Sequence, residues 1–553
     1  MKPVKNAAKV QPMLPSRAKR AGPPPRSGQA ATTRRQLLAS SALFAAGLLT
    51  PRYGALASRG NPFTLGVACG DPSPDGFVLW TRLALEPLAP DGLGGMQAPV
   101  PVAWELAADD AMRQVVRRGT VEAVAPSAHA VHVELAGLEP NRPYWYRFTA
   151  LGEQSAIGRA RTAPAPDDRL DRLRFAFASC SNWQLGYFSA YRHMVEEQPD
   201  LVVFLGDYIY ESTISATSAA AAHIVRKHDG PTAIDLVGYR NRYALYRTDP
   251  DLQALHAAAP CLVTWDDHEV ENDYANQWSQ DMRVTPEEFL RRRAAAYRAY
   301  YEHMPLRPRA LVQAQTVRLY GRARFGDLVT FSMLDGRQYR SKQPCEVPPS
   351  RRGHVARDSC SERRDPQRTL LGEEQEQWLL EGFRRADTAW NILAQGQLVA
   401  QLRQKDYSGE VGYWTDAWDG YPAARQRLLE AIAQSRLANP VFIGGDIHSF
   451  WVTDLKANFD EPRSPTVATE LVGTSITSDP PPYGLIAKVL PENPHVRYFE
   501  SRHRGYVTVD LTHQRMAARL RIISDRQDPN AMVSTLKQFI VTSGVAGATE
   551  ASD

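Results

Sequence analysis

The chain has 553 residues, 43% hydrophobic and 23% charged, with 11 Trp, 22 Tyr and 17 Phe. That composition excludes a wholly disordered or collagen-like chain, and the length suffices for more than one domain around at least one large core. The formal charge of +4 belongs to the start: residues 1–57 hold ten Lys/Arg and no Asp or Glu, leaving 55 basic against 61 acidic residues, a net −6, so no global charge draws the remainder to nucleic acid.

The first segment reads as an address. A Pro/Lys/Arg-rich lead ends in Thr33-Arg34-Arg35-Gln36-Leu37-Leu38, followed by LLASSALFAAGLL over 37–49 and then Ala55-Leu56-Ala57. A positive region with paired arginines, a short apolar run and an A-x-A site resemble a twin-arginine export signal over 1–57. The run falls short of the ~18 to 20 residues that span a bilayer. The expectation is a partner in the twin-arginine export machinery, a periplasmic or secreted location, and no membrane span in the mature chain.

From Phe63 to Pro164 seven short runs alternate with turn signals: FTLGVACG, GFVLWTRL, VPVAWELA, RGTVEAV, HAVHVELAG, PYWYRFTAL and AIGRARTA. Seven strands in that length predict a β-sandwich over 61–165. Leu138-Glu139-Pro140 before Tyr144 and Tyr146 resembles the tyrosine corner of fibronectin type III-like domains. The stretch around Ala163-Pro164-Ala165-Pro166 reads as a linker.

Beyond it, apolar runs alternate with helical stretches such as YFSAYRHMVEEQ, EEFLRRRAAAYRAYYEHM, LLGEEQEQWLLEGFRRA and ARQRLLEAIAQSRL, which predicts an α/β domain over 172–525. The Arg/Glu clusters of 287–304 are expected to form a solvated helix face. Cys345 and Cys360 flank a Pro/Arg-rich loop and are expected to form a disulfide, with two free thiols as the alternative; Cys69, Cys180 and Cys261 remain. Residues 526–553 are expected as a C-terminal tail whose AMVSTLKQFIV stretch is a candidate partial cover for a pocket.

Four apolar runs end in acid/base or metal-competent side chains. RFAFASCS delivers Cys180, LVVFLGDYIYE delivers Asp207 and Tyr210, PCLVTWDDHEVEND delivers Asp266, Asp267, His268 and Asn272, and PVFIGGDIHSF delivers Asp446 and His448. Open α/β sheets bind ligands outside the carboxyl ends of their strands, so four such tips are expected to converge. A thiol and a phenol ionise at neutral pH only beside a strong Lewis acid, which favours Fe(3+), while carboxylates and an amide suit Ca(2+), Mg or Mn. The expected site has Cys180, Asp207, Tyr210 and His448 around iron, Asp207 bridging, and Asn272 with Asp446 on a second metal. The chain has no G-x-S-x-G and no Walker-type loop, which removes support for a serine hydrolase or a nucleotide kinase.

GDYIY, WDDHEVEND and GGDIHSF, with FASCSN, GYFSAYRHM, LDGRQYR, DAWDGYPAARQRLL and the early GVACGDPSPDGFVLWTR, resemble the PhoD-type alkaline phosphatase/phosphodiesterase family of calcineurin-like metallophosphoesterases. The resemblance runs from about 63 to 525. It implies a four-layer α/β/β/α catalytic sandwich preceded by the all-β domain, and a site with Fe(3+) and Ca(2+), another divalent second metal being the alternative. It implies an enzyme hydrolysing phosphodiesters or phosphomonoesters with water activated by two metals, on a cell-wall polymer, phospholipid or small diester. Cys180, Asp207 and Tyr210 match the family's iron ligands, and Asn272, Asp446 and His448 its other metal positions. Asp267 and His268 stand where related enzymes carry an Asn-His pair, so His268 is expected to stabilise the transition state or protonate the leaving oxygen and Asp267 to bind metal or orient it. Arg337 in LDGRQYR is a candidate phosphate clamp, with a structural arginine as the alternative. Cys69, Gly336 and Gly396 depart from the family's pattern. Two rival readings stay open: a phospholipase D-like diesterase on the same fold, and a secreted metal-containing binding protein.

Overall fold

The computed structural model describes residues 60–551 apart from 314, 315, 407, 436 and 462; the export signal expected at 1–57 lies outside them. The described residues belong to one compact unit. Among them no helix is long and apolar enough to cross a membrane.

Two large sheets face each other. In the seven-stranded sheet, Val329–Met333, Trp390–Ala394, Pro440–Gly444 and Thr466–Val472 run parallel, flanked by Gly321–Phe325 on one side and by Phe450–Lys456 and Val496–Glu500 on the other. In the ten-stranded sheet the parallel centre is Leu173–Ala178, Leu201–Leu205 and Cys261–Thr264. The near-continuous apolar runs of these strands follow from burial on both faces. Leu201, Val203 and Leu205 point into the core between the sheets, whereas Val202 and Phe204 join the core under the helices. Val441 and Ile443 enter the same inter-sheet core from the other side, and Phe442 faces outward. Helices Ser189–Glu196, Leu236–Arg247, Pro250–Ala258 and Pro286–His303 cover the outer face of the ten-stranded sheet; Glu373–Phe383 and Pro422–Gln434 cover the other. This is the expected α/β/β/α sandwich.

All seven early runs contain a strand. Val67–Ser73, Gly76–Arg82 and Ala130–Leu135 pack against a second sheet of Val115–Ala123, Val100–Ala107, Pro143–Ala150, Glu153–Gln154 and Gly158–Arg161. The core between them holds Cys69, Phe77, Leu79, Val102, Leu106, Tyr146 and Phe148. The Tyr144 hydroxyl accepts from Glu139 N at 3.2 Å, closing a corner of the expected kind. The sandwich is not a separate body, however. Val67–Ser73 pairs in parallel with Cys261–Thr264 at Gly70 opposite Cys261, so one half of it extends the ten-stranded sheet. Gly70 also lets this strand lie close against the segment after helix Pro286–His303: an added Cβ would lie 2.4 Å from Pro305 O.

Three further expectations meet the structure differently. On helix Pro286–His303, opened by a Thr285/Glu288 capping box with Pro at its start, Glu287 and Arg291 form an exposed pair, yet Arg293 and Glu302 are buried, Glu302 accepting from Arg240 Nε at 2.7 Å. The expected solvated face is therefore only half solvated. The C-terminal stretch is no cover: Val533–Thr542 is a strand paired antiparallel with Arg515–Ile523, and its Phe539 and Val541 fill the inter-sheet core. Cys345 and Cys360 are joined as a disulfide, while Cys69, Cys180 and Cys261 are free and buried.

Candidate active site

Each candidate side chain follows the carboxyl end of a parallel strand: Cys180 after Leu173–Ala178, Asp207 and Tyr210 after Leu201–Leu205, Asp266 to Asn272 after Cys261–Thr264, and Asp446 and His448 after Pro440–Gly444. The chain must turn sharply at these tips to aim side chains across the gap between the sheets. Cys180, Asp207, Asp446 and His448 all have positive φ, from 52° to 61°, a conformation uncommon outside glycine and held here by the surrounding fold. Gly206, at φ +97°, precedes Asp207, and a Cβ there would lie 2.5 Å from Asp266 N. That glycine lets two tips touch through their backbones.

The tips converge. Ligand atoms of Cys180, Asp207 and His448 lie within 4.8 Å of one another, as do those of Asp207, Asp267 and His268, and those of Asp266, Asp267 and Asp446. The Tyr210 hydroxyl donates to Asp207 Oδ2 at 3.0 Å, lies 3.2 Å from His448 Nε2 and accepts from Ser478 Oγ at 2.6 Å. His448 Nδ1 donates to Asp479 O at 2.6 Å, which leaves Nε2 with a free lone pair. Burial holds that imidazole down to about 4, hence neutral and suited to ligation. Asp207 Oδ1 is buried and has no hydrogen-bond partner. Burial first, and then the neighbouring carboxylates, push Asp207 and Asp446 well above the usual range; for Cys180, burial and then Asp207 raise the thiol. Acidic groups crowded this way without a cation between them are costly. An orphaned buried oxygen beside a thiol, a phenol and a neutral imidazole suits a metal ion.

The expected second-metal residues are joined in part. Asp446 meets Asp266 and Asp267, while Asn272 lies on the loop beyond His268, its backbone N–H donating to Glu211 Oε1 at 3.0 Å. Asp267 accepts from His268 N at 3.0 Å and from Asp273 N at 2.7 Å. Although burial alone would raise its carboxyl, the Arg337 guanidinium and His268 hold it low. The His268 ring lies against the Tyr210 ring at 4.1 Å between centroids, tilted by 33°, and His268 donates from Nδ1 to Glu211 Oε2 at 2.7 Å. Burial would lower this imidazole, but Glu211, Asp267 and Asp207 outweigh it and keep it raised.

Arg337 does not stand as a phosphate clamp. It is fully buried and grips Asp266 with two hydrogen bonds of 2.6 and 3.0 Å, while Nη1 lies 2.8 Å from Asp416 Oδ2. A fork saturated by two carboxylates has no edge left for a phosphate oxygen. Its effect is to tie down the loop carrying Asp266 and Asp267.

Several residues of the site carried no sequence signal. Glu211 orients His268, and Ser478 holds the Tyr210 hydroxyl. Glu269 accepts from the backbone N–H groups of Asp207, Tyr208 and Asp266, pinning two tips together. Gly396 also gains a reason: an added Cβ would stand 2.8 Å from Asp266 Cγ. Asp446 and His448 open on a pocket of about 320 Å³.

Comparison with known proteins adds four matches. The PhoD-like phosphatase model matches residues 175–520, and the model of the PhoD-like phosphatase N-terminal domain matches 50–164. The chain is 44% identical over 485 residues to alkaline phosphatase D of Bacillus subtilis (strain 168), a match covering 87% of this chain and 80% of that protein. The solved structure of PhoD matches with a TM-score of 0.82 and 43% identity, covering 89% of this chain and 92% of that one.

Proposed function

Since the chain belongs to the PhoD-like phosphatase family and is a phosphoesterase, we propose that it hydrolyses phosphodiesters and phosphomonoesters at a metal centre built on Asp207. The observation that carries this reading is Asp207 Oδ1, buried and unpartnered among donors from three other chain tips. Cys180, Asp207, Tyr210 and His448 would hold Fe(3+), and Asp207, Asn272 and Asp446 would hold Ca(2+) or another divalent ion. The chemistry such a pair supplies when bound is a lowered water pKa and neutralised phosphoryl charge.

The chain's own residues do the rest. Glu211 fixes His268 by taking the Nδ1 proton in a hydrogen bond, so the other ring nitrogen is the one available to the departing oxygen. A cationic His268 stabilises charge developing there and delivers a proton to it. Asp267 holds the start of the His268 loop through two backbone N–H groups. Arg337 keeps Asp266 beside Asp446 rather than binding substrate.

The features of residues 1–57 support export by the twin-arginine route, and substrates outside the cytoplasm follow: a cell-wall polymer, a phospholipid or a small diester. The test compares release of 4-nitrophenol from bis(4-nitrophenyl) phosphate and from 4-nitrophenyl phosphate, before and after chelation. The reading expects cleavage that chelation abolishes. Cleavage of neither ester with metals loaded would favour a binding protein instead.

A further inference from the structure

The pocket onto which Asp446 and His448 open is mostly apolar. Leu398, Ala400 and Leu402, from the segment after strand Trp390–Ala394, form one wall; Pro480, Pro481 and Ile486, just after the Asp479 carbonyl that holds His448, contribute another. Trp414, at 36% exposure, closes the rim.

The polar side chains that reach this space are largely spent on the protein. Asp419 accepts from Leu402 N at 2.8 Å and from Arg425 Nη1 at 2.6 Å. Asp479 is paired with Arg526 and His223. Besides Gln404, the Trp414 indole N–H and the paired Asp419 and Asp479, the polar lining is Asp446 and His448. A site built for sugar or glycerol hydroxyls would need free donors and acceptors along its walls. This one offers apolar surface directly against the phosphoryl-handling groups. At about 320 Å³ it is at the small end of ligand pockets, ~300 to 1,000 Å³.

We propose that this pocket binds an apolar substituent of the phosphoester, a short alkyl chain or a single aromatic ring, and so sets which esters the enzyme prefers. The inference rests on the phosphoesterase reading for its placement of the phosphoryl group. Alkylphosphonates test it because they carry a single apolar substituent, which the proposal places in the pocket once the phosphonate is seated.

Calorimetric Kd values of methyl- and butylphosphonate for the metal-loaded full chain are the measurement, with Ile486→Asp and Trp414→Ser as variants. Each fully buried methylene adds roughly threefold to fourfold, so the three extra methylenes of butylphosphonate set a ceiling of roughly 30- to 60-fold, and with partial burial a preference of about tenfold over methylphosphonate is expected. The ratio is expected to shrink toward one in both variants. Trp414→Ser lies on the exposed rim and keeps the test open should Ile486→Asp fail to fold. Equal affinities in the unaltered protein, or a ratio that both variants retain, would overturn the pocket. Because binding is read without turnover, the two readings separate. Hydrolysis with flat affinities defeats the pocket alone, and chain-length-dependent binding without hydrolysis defeats the catalytic reading alone.

Discussion

Arg337 holds Asp266 by a paired contact, Nε to Oδ1 at 2.6 Å and Nη2 to Oδ2 at 3.0 Å, with both side chains buried. Asp416 completes the guanidinium's partners. Lysine, a single compact charge, cannot span two carboxylates in this geometry. Arg337→Lys is expected to destabilise the protein by about 3 kcal/mol or more, since it leaves buried carboxylates short of a partner. Urea unfolding checks this. An unchanged midpoint with only a raised KM would mean that Arg337 touches substrate after all.

Glu211 and His268 form a second coupled pair. Glu211→Gln keeps the shape but replaces the carboxylate that sustains the imidazolium. The expected result is a fall in kcat of roughly tenfold or more, a shifted pH profile and unaltered metal content, while His268→Asn loses about 10² to 10⁴. If Glu211→Gln moved stability but neither kcat nor the pH profile, Glu211 would be merely structural.

Gly206 is where two strand tips meet. Gly206→Ala would put a Cβ 2.5 Å from Asp266 N at a φ of +97°. A cost of roughly 1 to 3 kcal/mol is expected from strain of this kind, together with weakened metal retention because Asp207 is the next residue. Thermal unfolding alongside metal analysis checks both, and a variant as stable as the parent would remove the backbone contact from the account.

What the sequence revealed and what it hid divide along physical lines. Cys180, Asp207, Tyr210, Asp446 and His448 were legible because each ends an apolar run, and parallel strands deliver their carboxyl ends to one side of a sheet. The supports of those residues were not. Glu211 lies 57 residues from His268, and Arg337 lies 71 from Asp266, distances across which no local pattern speaks. Arg337 was also chemically ambiguous, since a guanidinium fork fits carboxylate and phosphate alike. The fusion of the two sheets rests on one parallel pairing, Gly70 with Cys261, and a strand reads the same whether its neighbour is near or remote in the chain. The tail misled for a related reason: an amphipathic stretch at a chain end suits a loose flap, but Val533–Thr542 found an open sheet edge beside Arg515–Ile523.

The most direct test of the central claim is metal content by elemental analysis of the purified protein, compared with Asp207→Asn. The account predicts about one iron per chain with calcium or another divalent ion beside it, and loss of both classes of ion in the variant, because the proposed centre draws on the Asp207 carboxylate for both. A folded protein that holds no stoichiometric metal, or an Asp207→Asn variant that retains its full complement, would contradict it.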